Sequence, residues 1–392
     1  MRILYLDVNQ KNMNPSVDLF PALICGAFED VEFFGPNYVD SKTLNDGLEV
    51  FCSKKKPFDI LLIGTWIPIL EAHYKNTIKF LSNKNLSSHE ILNFYNDVKL
   101  SLKNIPIKTK AIIGVGLDYY AMQRTQIDFI DENELYVICP GLEFIKSFSE
   151  LEDYSRFEKH FIRKKDIFSD VWKDYVKNNP HKIINFLHYV SFHEFFYKAI
   201  KNRKYNINIP GIDYFKRREA SNKIKKLKLK LPNKNFYYTF RILNKIGFPV
   251  FKNQLSLKLF NTFYFNNLSE SKIAYTAPGC FGMPIRKYFE IPASGSLFIC
   301  LPCQGFKAIG FKNEVNCITA DSDELCEFLK KEKDFEKLQK IVNNAQKLII
   351  SKHSIKARGE QLKSCFKLIM ENKYESSKWV DGVYILNEKL KK

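Results

Sequence analysis

Short apolar runs closed by polar or turn residues recur through the first third of the chain. They predict buried parallel strands, because a strand covered on both faces reads as a continuous hydrophobic segment rather than an alternating one. Arg2 to Val8 (RILYLDV) is the first, and Val31 to Phe34, Asp59 to Gly64 (DILLIG), Lys110 to Gly116 (KAIIGVG) and Tyr136 to Cys139 (YVIC) follow. Pro15 to Phe28, Ser41 to Lys54 and the charged stretch from Trp66 to Asn104 read as helical. Strand and helix in this alternation predict a Rossmann-like sheet. Ser147 to Lys204 then reads as helical, aromatic and basic.

A second alternation begins at Tyr205. Tyr205 to Pro210 (YNINIP) predicts a strand, Gly211 to Asp213 a turn, and Tyr214 onward a basic helix. After the aromatic-rich span Phe236 to Leu268, the stretch Ser271 to Phe311 carries SKIAYT, a glycine-containing loop, an amphipathic helix with a basic pair and one acid, Pro-Ala-Ser-Gly, and a short apolar strand. Such a sequence suits a phosphorylated ligand held at the edge of a parallel sheet. Cys317 to Ala320 (CITA) reads as a further short strand. Helices follow it, the first capped by Asp321 or Ser322. Tyr374 to Lys392, with Trp379 and Tyr384, reads as a last segment packing back across the junction between two halves.

Composition narrows the class. A chain of 392 residues with 45% hydrophobic content has material for two cores, and 61 Lys and Arg against 43 Asp and Glu give a net charge of +18. That surface attracts phosphates, nucleic acid or acidic headgroups, although a solvated Lys-rich face gives the same number. Lys223 to Lys234 (KIKKLKLKLPNK) reads as an exposed helix end and linker, with a surface-binding role as the alternative. The nine cysteines include one CxxC, Cys300 and Cys303, without a second pair to complete a metal site, and read as core and loop residues in a reducing compartment. MRILYLDV is a strand rather than a signal peptide, and no apolar run has the length of a membrane span. The expectation is a cytoplasmic protein, with peripheral rest on the inner membrane face as an extension. VNQKNMN after the first strand carries no GxGxxG, which argues against a dinucleotide dehydrogenase.

Three groups of residues can carry chemistry. Lys216, Arg217 and Arg218 follow a glycine turn at a helix start, where fixed cations and the helix dipole can cradle a diphosphate. His193 is the best placed of His181, His188 and His193, because Glu194 beside it can orient or charge an imidazole. Asp118, with Tyr119 and Tyr120, lies past the end of a predicted strand, where open parallel sheets place ligand groups. Asp321 and Asp323 form a DxD at a helix start that reads as a cap, so no metal site is expected.

The order SKIAYT, RKYFEIPASGSLFI, GF, CITADSDELCEFL and KLIISKHSIKARGEQL resembles the C-terminal domain of GT-B glycosyltransferases, in particular the spore-maturation-like group 1 branch of the family 4 clan. The resemblance covers roughly Tyr205 to Phe366; the first half matches only in its Rossmann character. It implies an α/β GT-B protein with two Rossmann-like domains facing across a cleft: 1–200 for the acceptor, 201–372 for the nucleotide sugar, and 373–392 returning toward the first. It implies that Glu290 binds the donor ribose hydroxyls, and that Arg286, Lys287 and Arg217 or Arg218 hold the diphosphate. Ser294 and Gly295 would allow close backbone approach. The implied activity is metal-independent transfer from a nucleotide sugar, as substrate rather than cofactor, to a glycan, lipid-linked or surface-polysaccharide acceptor. Retention is expected; inversion would need His193 or Asp118 as base. Contact with an anionic membrane is compatible and nucleic acid is not expected. Gly282 stands where many retaining members carry a second acid. That departure keeps a non-catalytic basic surface-binding or partner protein on the same scaffold as the alternative.

Overall fold

The computed structural model describes residues 1–9, 20–64, 67, 87–105, 107–113, 124–147, 150, 170–211, 216–233, 235–246, 254–279 and 282–389. In its first half, β1 (Arg2–Leu6), α1 (Phe20–Ala27), β2 (Asp30–Phe34), α2 (Ser41–Asp46), α3 (Leu48–Ser53), β3 (Phe58–Ile63), α4 (Ser88–Ser101), β4 (Ile107–Ile113), α5 (Arg124–Glu132), β5 (Tyr136–Cys139), α6 (Val171–Asn178) and β6 (Ile183–Asn185) alternate along the chain. The six strands form one parallel sheet in the order β2-β1-β3-β4-β5-β6. Strand order reverses at β1, the doubly wound arrangement in which ligands meet the carboxyl ends of the strands. Side-chain alternation splits β1 between two cores: Leu4 and Leu6 pack with α4 and α6, Ile3 and Tyr5 with α1.

The second half contains β7 (Tyr205–Asn208), α7 (Lys216–Ile224), α8 (Asn235–Lys245), α9 (Gln254–Ser269), β8 (Ser271–Thr276), α10 (Lys287–Ala293), β9 (Leu297–Cys300), β10 (Ile318–Thr319), α11 (Ser322–Lys330) and α12 (Phe335–Leu348). Its four parallel strands run β10-β9-β8-β7. Ala274, Phe298 and Cys300 face α10 on one side; Ile273, Tyr275, Leu297 and Ile299 face α7, α11 and α12 on the other. After a π-helical turn at Ile349–His353, α13 (Ile355–Met370) leaves this half. Its Leu362, Cys365, Phe366 and Ile369 join the core of Ile3, Tyr5 and Leu23.

The chain therefore passes between the halves twice, and the passages lie side by side. The Val190 amide donates to the His353 carbonyl at 3.1 Å, and the Ile355 amide to the Val190 carbonyl at 2.8 Å. Arg358 binds both passages, donating from Nη2 to the His188 carbonyl at 3.3 Å and to His353 Nδ1 at 2.8 Å. The hairpin of β11 (Tyr374–Val380) and β12 (Val383–Glu388) ties the halves again. Tyr374 is buried with the first sheet and its hydroxyl donates to the Ile183 carbonyl, while Trp379 is buried in the second core.

Ser147 to Lys204, expected to be helical, is corrected within the described residues. Val171–Asn178 is helical, but Ile183–Asn185 is the sixth strand and Phe192–Glu194 and Ile200–Asn202 are single 3-10 turns. A three-residue strand completed by pairing with β5 is too short to display a period of its own.

Candidate functional site

α10 begins just after Arg286, and its spacing puts Arg286, Lys287 and Glu290 on one face, three and four residues apart. Glu290 is only 1% exposed. Its Oε2 accepts from Arg286 Nη1 at 3.0 Å and its Oε1 from Lys287 Nζ at 2.7 Å. Tyr264, reaching in from α9, also donates its hydroxyl to Oε1 and receives a hydrogen bond from Lys287 Nζ at 2.9 Å. Burial alone would raise the Glu290 carboxyl, but Lys287 and Arg286 outweigh it and hold the group down at about 2. Lys287 is moved below its ordinary value, first by burial.

The other arm of Arg286 crosses to Glu194, with Nη2 2.6 Å from Oε1. Glu194 closes a capping box with Ser191, accepting the Ser191 amide at 2.9 Å, and that geometry turns its carboxylate inward. Glu194 thus binds Arg286 rather than orienting His193, which corrects the expected partnership. Its Oε2 is buried without a hydrogen bond, and desolvation raises its pKa.

Arg217 is buried at the start of α7 and donates from Nη1 to the Pro210 carbonyl at 3.3 Å. Gly211 lies against it with φ +80°, and a Cβ there would come within 2.6 Å of Lys287 Cε and 3.7 Å of Arg217 Nη1. The end of β7 and the start of α10 thereby bring Arg217, Lys287, Arg286 and Glu290 together. Arg218 is instead exposed on α7, outside this cluster.

Ser294 and Gly295 also differ from expectation. Ser294 Oγ donates back to the Ile291 carbonyl at 2.7 Å, and its own carbonyl accepts from Arg203 Nη2 at 3.0 Å. Gly295 has φ +70°, and a Cβ there would meet Arg203 Nη2 at 2.5 Å and the Phe196 carbonyl at 2.6 Å. The close approach is made by the protein's own groups at a helix-ending turn, not left open for a ligand.

His193 is exposed and borders a hollow of about 480 Å3 with Phe196, Leu257, Asn261 and Phe265. Its ring meets Phe265 edge-on at 5.6 Å, and burial and Arg286 lower its pKa. The histidine within the field of Arg286, Glu290 and Lys287 is His188, exposed just past β6. Desolvation followed by Arg286 lowers it to about 4, so it is neutral at neutral pH. The pattern singled out His193 for its acidic neighbour; His188 had no comparable signal. Asp118 lies outside the described residues.

Asp321 accepts from the Asp323 and Glu324 amides at 2.8 and 2.9 Å, which makes the DxD a helix cap. Gly282 has φ +74°, and a Cβ would sit 3.2 Å from Lys146 Cδ. A side chain there is strained by the backbone, so glycine suits this position and an acid does not.

No family model and no curated protein matches the chain. Among solved structures it is similar to a glycosyltransferase from Rickettsia africae ESF-5, with a TM-score of 0.50 at 13% identity over 95% of this chain and 99% of that one. The fold is GT-B. Anabaena Alr3699/HepE, solved with UDP, is similar at a TM-score of 0.47 and 10% identity, over 94% of this chain and 100% of that chain. In the GT-B frame, the Glu290 cluster belongs to the second Rossmann-like half, and Glu194 and His188 to the passage from the first.

Proposed function

We propose that the protein is a glycosyltransferase that moves a sugar from a nucleotide-sugar donor to a glycan, lipid-linked or other surface-polysaccharide acceptor, on the cytoplasmic side and in peripheral contact with an anionic membrane. The observation that carries the reading is Glu290, buried on a GT-B second half and ringed by Arg286, Lys287 and Tyr264, with Arg217 adjoining at the end of β7. A carboxylate accepts two hydrogen bonds from the cis-diol of a ribose. The Tyr264 hydroxyl occupies one of those acceptor positions and is the group a ribose hydroxyl would displace.

As the sugar–phosphate bond breaks, the anomeric carbon becomes oxocarbenium-like and negative charge grows on the leaving diphosphate. Arg217, Arg286 and Lys287 supply fixed positive charge there without a metal ion. The new bond forms to an acceptor hydroxyl; in a retaining transfer its proton departs on the leaving phosphate, so no protein base is required. Neutral His188 can accept a hydrogen bond from a sugar or acceptor hydroxyl.

The second reading is a GT-B scaffold acting as a non-catalytic partner, favoured by the left-handed glycine at Gly282. Thermal melts across a panel of nucleotide sugars separate the two. Under the first reading at least one sugar nucleotide raises the melting temperature, since a ligand at about a hundred times its Kd adds about 2.7 kcal/mol. No response to any member of the panel sinks it.

A further inference from the structure

The last two of the helices between β7 and β8, α8 and α9, turn apolar residues outward at helical spacing. Along α8 and the residue beyond it, Tyr238, Ile242 and Ile246 are 51%, 59% and 65% exposed; along α9, Leu255, Leu259 and Phe263 are 66%, 45% and 47% exposed. Each set follows i, i+4 and i+8, one stripe per helix. The helices meet elsewhere, through Phe240 and Phe260 with ring centroids 5.6 Å apart. Charge along this stretch of chain has one sign: from Ala220 to Ser269 it holds ten Lys and Arg and no Asp or Glu.

This combination selects the partner. The buried centre of a protein interface is depleted of lysine, and a phosphate backbone has no use for two apolar stripes. A bilayer with acidic lipids takes up both, apolar side chains below the headgroups and lysines among them. We propose that α8 and α9 form a membrane-docking element that lays its two stripes into an anionic bilayer, with the exposed Lys225, Lys226, Lys228, Lys230 and Lys258 meeting the headgroups. Docking there reaches the candidate site directly, because Tyr264, which touches Glu290, follows Phe263 on the same helix.

This inference rests on the reading above only in placing the protein at a membrane. Vesicle binding is therefore measured without donor or acceptor, and nucleotide-sugar binding is scored separately. The full chain should sediment with vesicles of phosphatidylcholine and phosphatidylglycerol and stay in solution with phosphatidylcholine alone. Joint replacement Ile242→Gln, Ile246→Gln and Leu259→Gln should weaken vesicle partition at least about tenfold with the melting temperature unchanged, since membrane binding scales with the apolar area buried among the acyl chains. Joint Lys→Gln replacement at 225, 226, 228 and 230 should remove the preference for phosphatidylglycerol. Absence of wild-type sedimentation overturns the proposal, as does undiminished binding by the apolar variant. Loss of a dimer in that variant with vesicle binding intact would assign the stripes to a second copy and overturn it equally.

Discussion

Glu290 and Glu194 share one arginine and are driven in opposite directions. Two cations and a tyrosine hydroxyl serve Glu290, whereas Glu194 has only Arg286 and its own cap. Buried pairs of this kind are costly to break, because removing one partner leaves the others uncompensated, at about 3–5 kcal/mol. Tyr264→Phe leaves the ionic groups in place: it removes the two hydrogen bonds of one hydroxyl, to Glu290 and from Lys287, at about 1.5 kcal/mol of stability each, and vacates the acceptor position on Glu290. Donor titrations of this variant should give affinity equal to or a few-fold tighter than wild type; a large loss would mean that the hydroxyl contacts the donor itself. The pH dependence follows from the same residues. His188 has a folded pKa of about 4, below its ordinary 6.5, so the unfolded chain takes up the proton first and stability is lost as pH falls from about 6.5 through 4. His353, also lowered by burial, adds to that limb. Glu290 adds a loss lower down, from 4.5 toward about 2, while the raised Glu194 works in the other direction. Melting temperatures between pH 7 and 4 should fall, and His188→Gln should flatten part of that fall; an unchanged slope would contradict the lowered pKa of His188.

At the scale of elements, runs of four or more apolar residues were readable as strands because both faces of each sheet are covered, and DILLIG and YVIC correspond to β3 and β5. β6 was not readable, since three residues carry no period and their partner strand lies elsewhere in the chain. The candidate site divides in the same way. Arg286, Lys287 and Glu290 lie within one helical turn of one another, so their meeting follows from local spacing. Tyr264 and Glu194 reach the cluster across 26 and 92 residues respectively, which only tertiary packing brings about. Ser294 and Gly295 looked suited to a ligand because a small-residue turn permits close approach, but what approaches is Arg203. Gly359 illustrates the use of a small residue between helices: a Cβ there would come within 2.9 Å of Ala27 Cβ, where α13 crosses α1. Gly359→Val should separate these helices and cost about 1–3 kcal/mol in chemical denaturation. An unchanged midpoint would show that the crossing is looser than these distances require.

Across the whole molecule, the two halves are joined by a hydrogen-bonded pair of passages at Val190 and Ile355, by a hairpin with Tyr374 in one core and Trp379 in the other, and by Phe144 packed in the second core and Met283 in the first. Arg286 links the two, because it binds Glu290 in the second half and Glu194 in the passage from the first. The central claim is that this cluster binds a sugar nucleotide through Glu290. Calorimetric titration of nucleotide sugars into wild type and Glu290→Gln, with each protein's folding verified by its melt, tests it most directly. The account predicts saturable binding of at least one nucleotide sugar by wild type and at least about a tenfold loss, about 1.4 kcal/mol, in a folded Glu290→Gln. Binding of equal strength in the two proteins would contradict it.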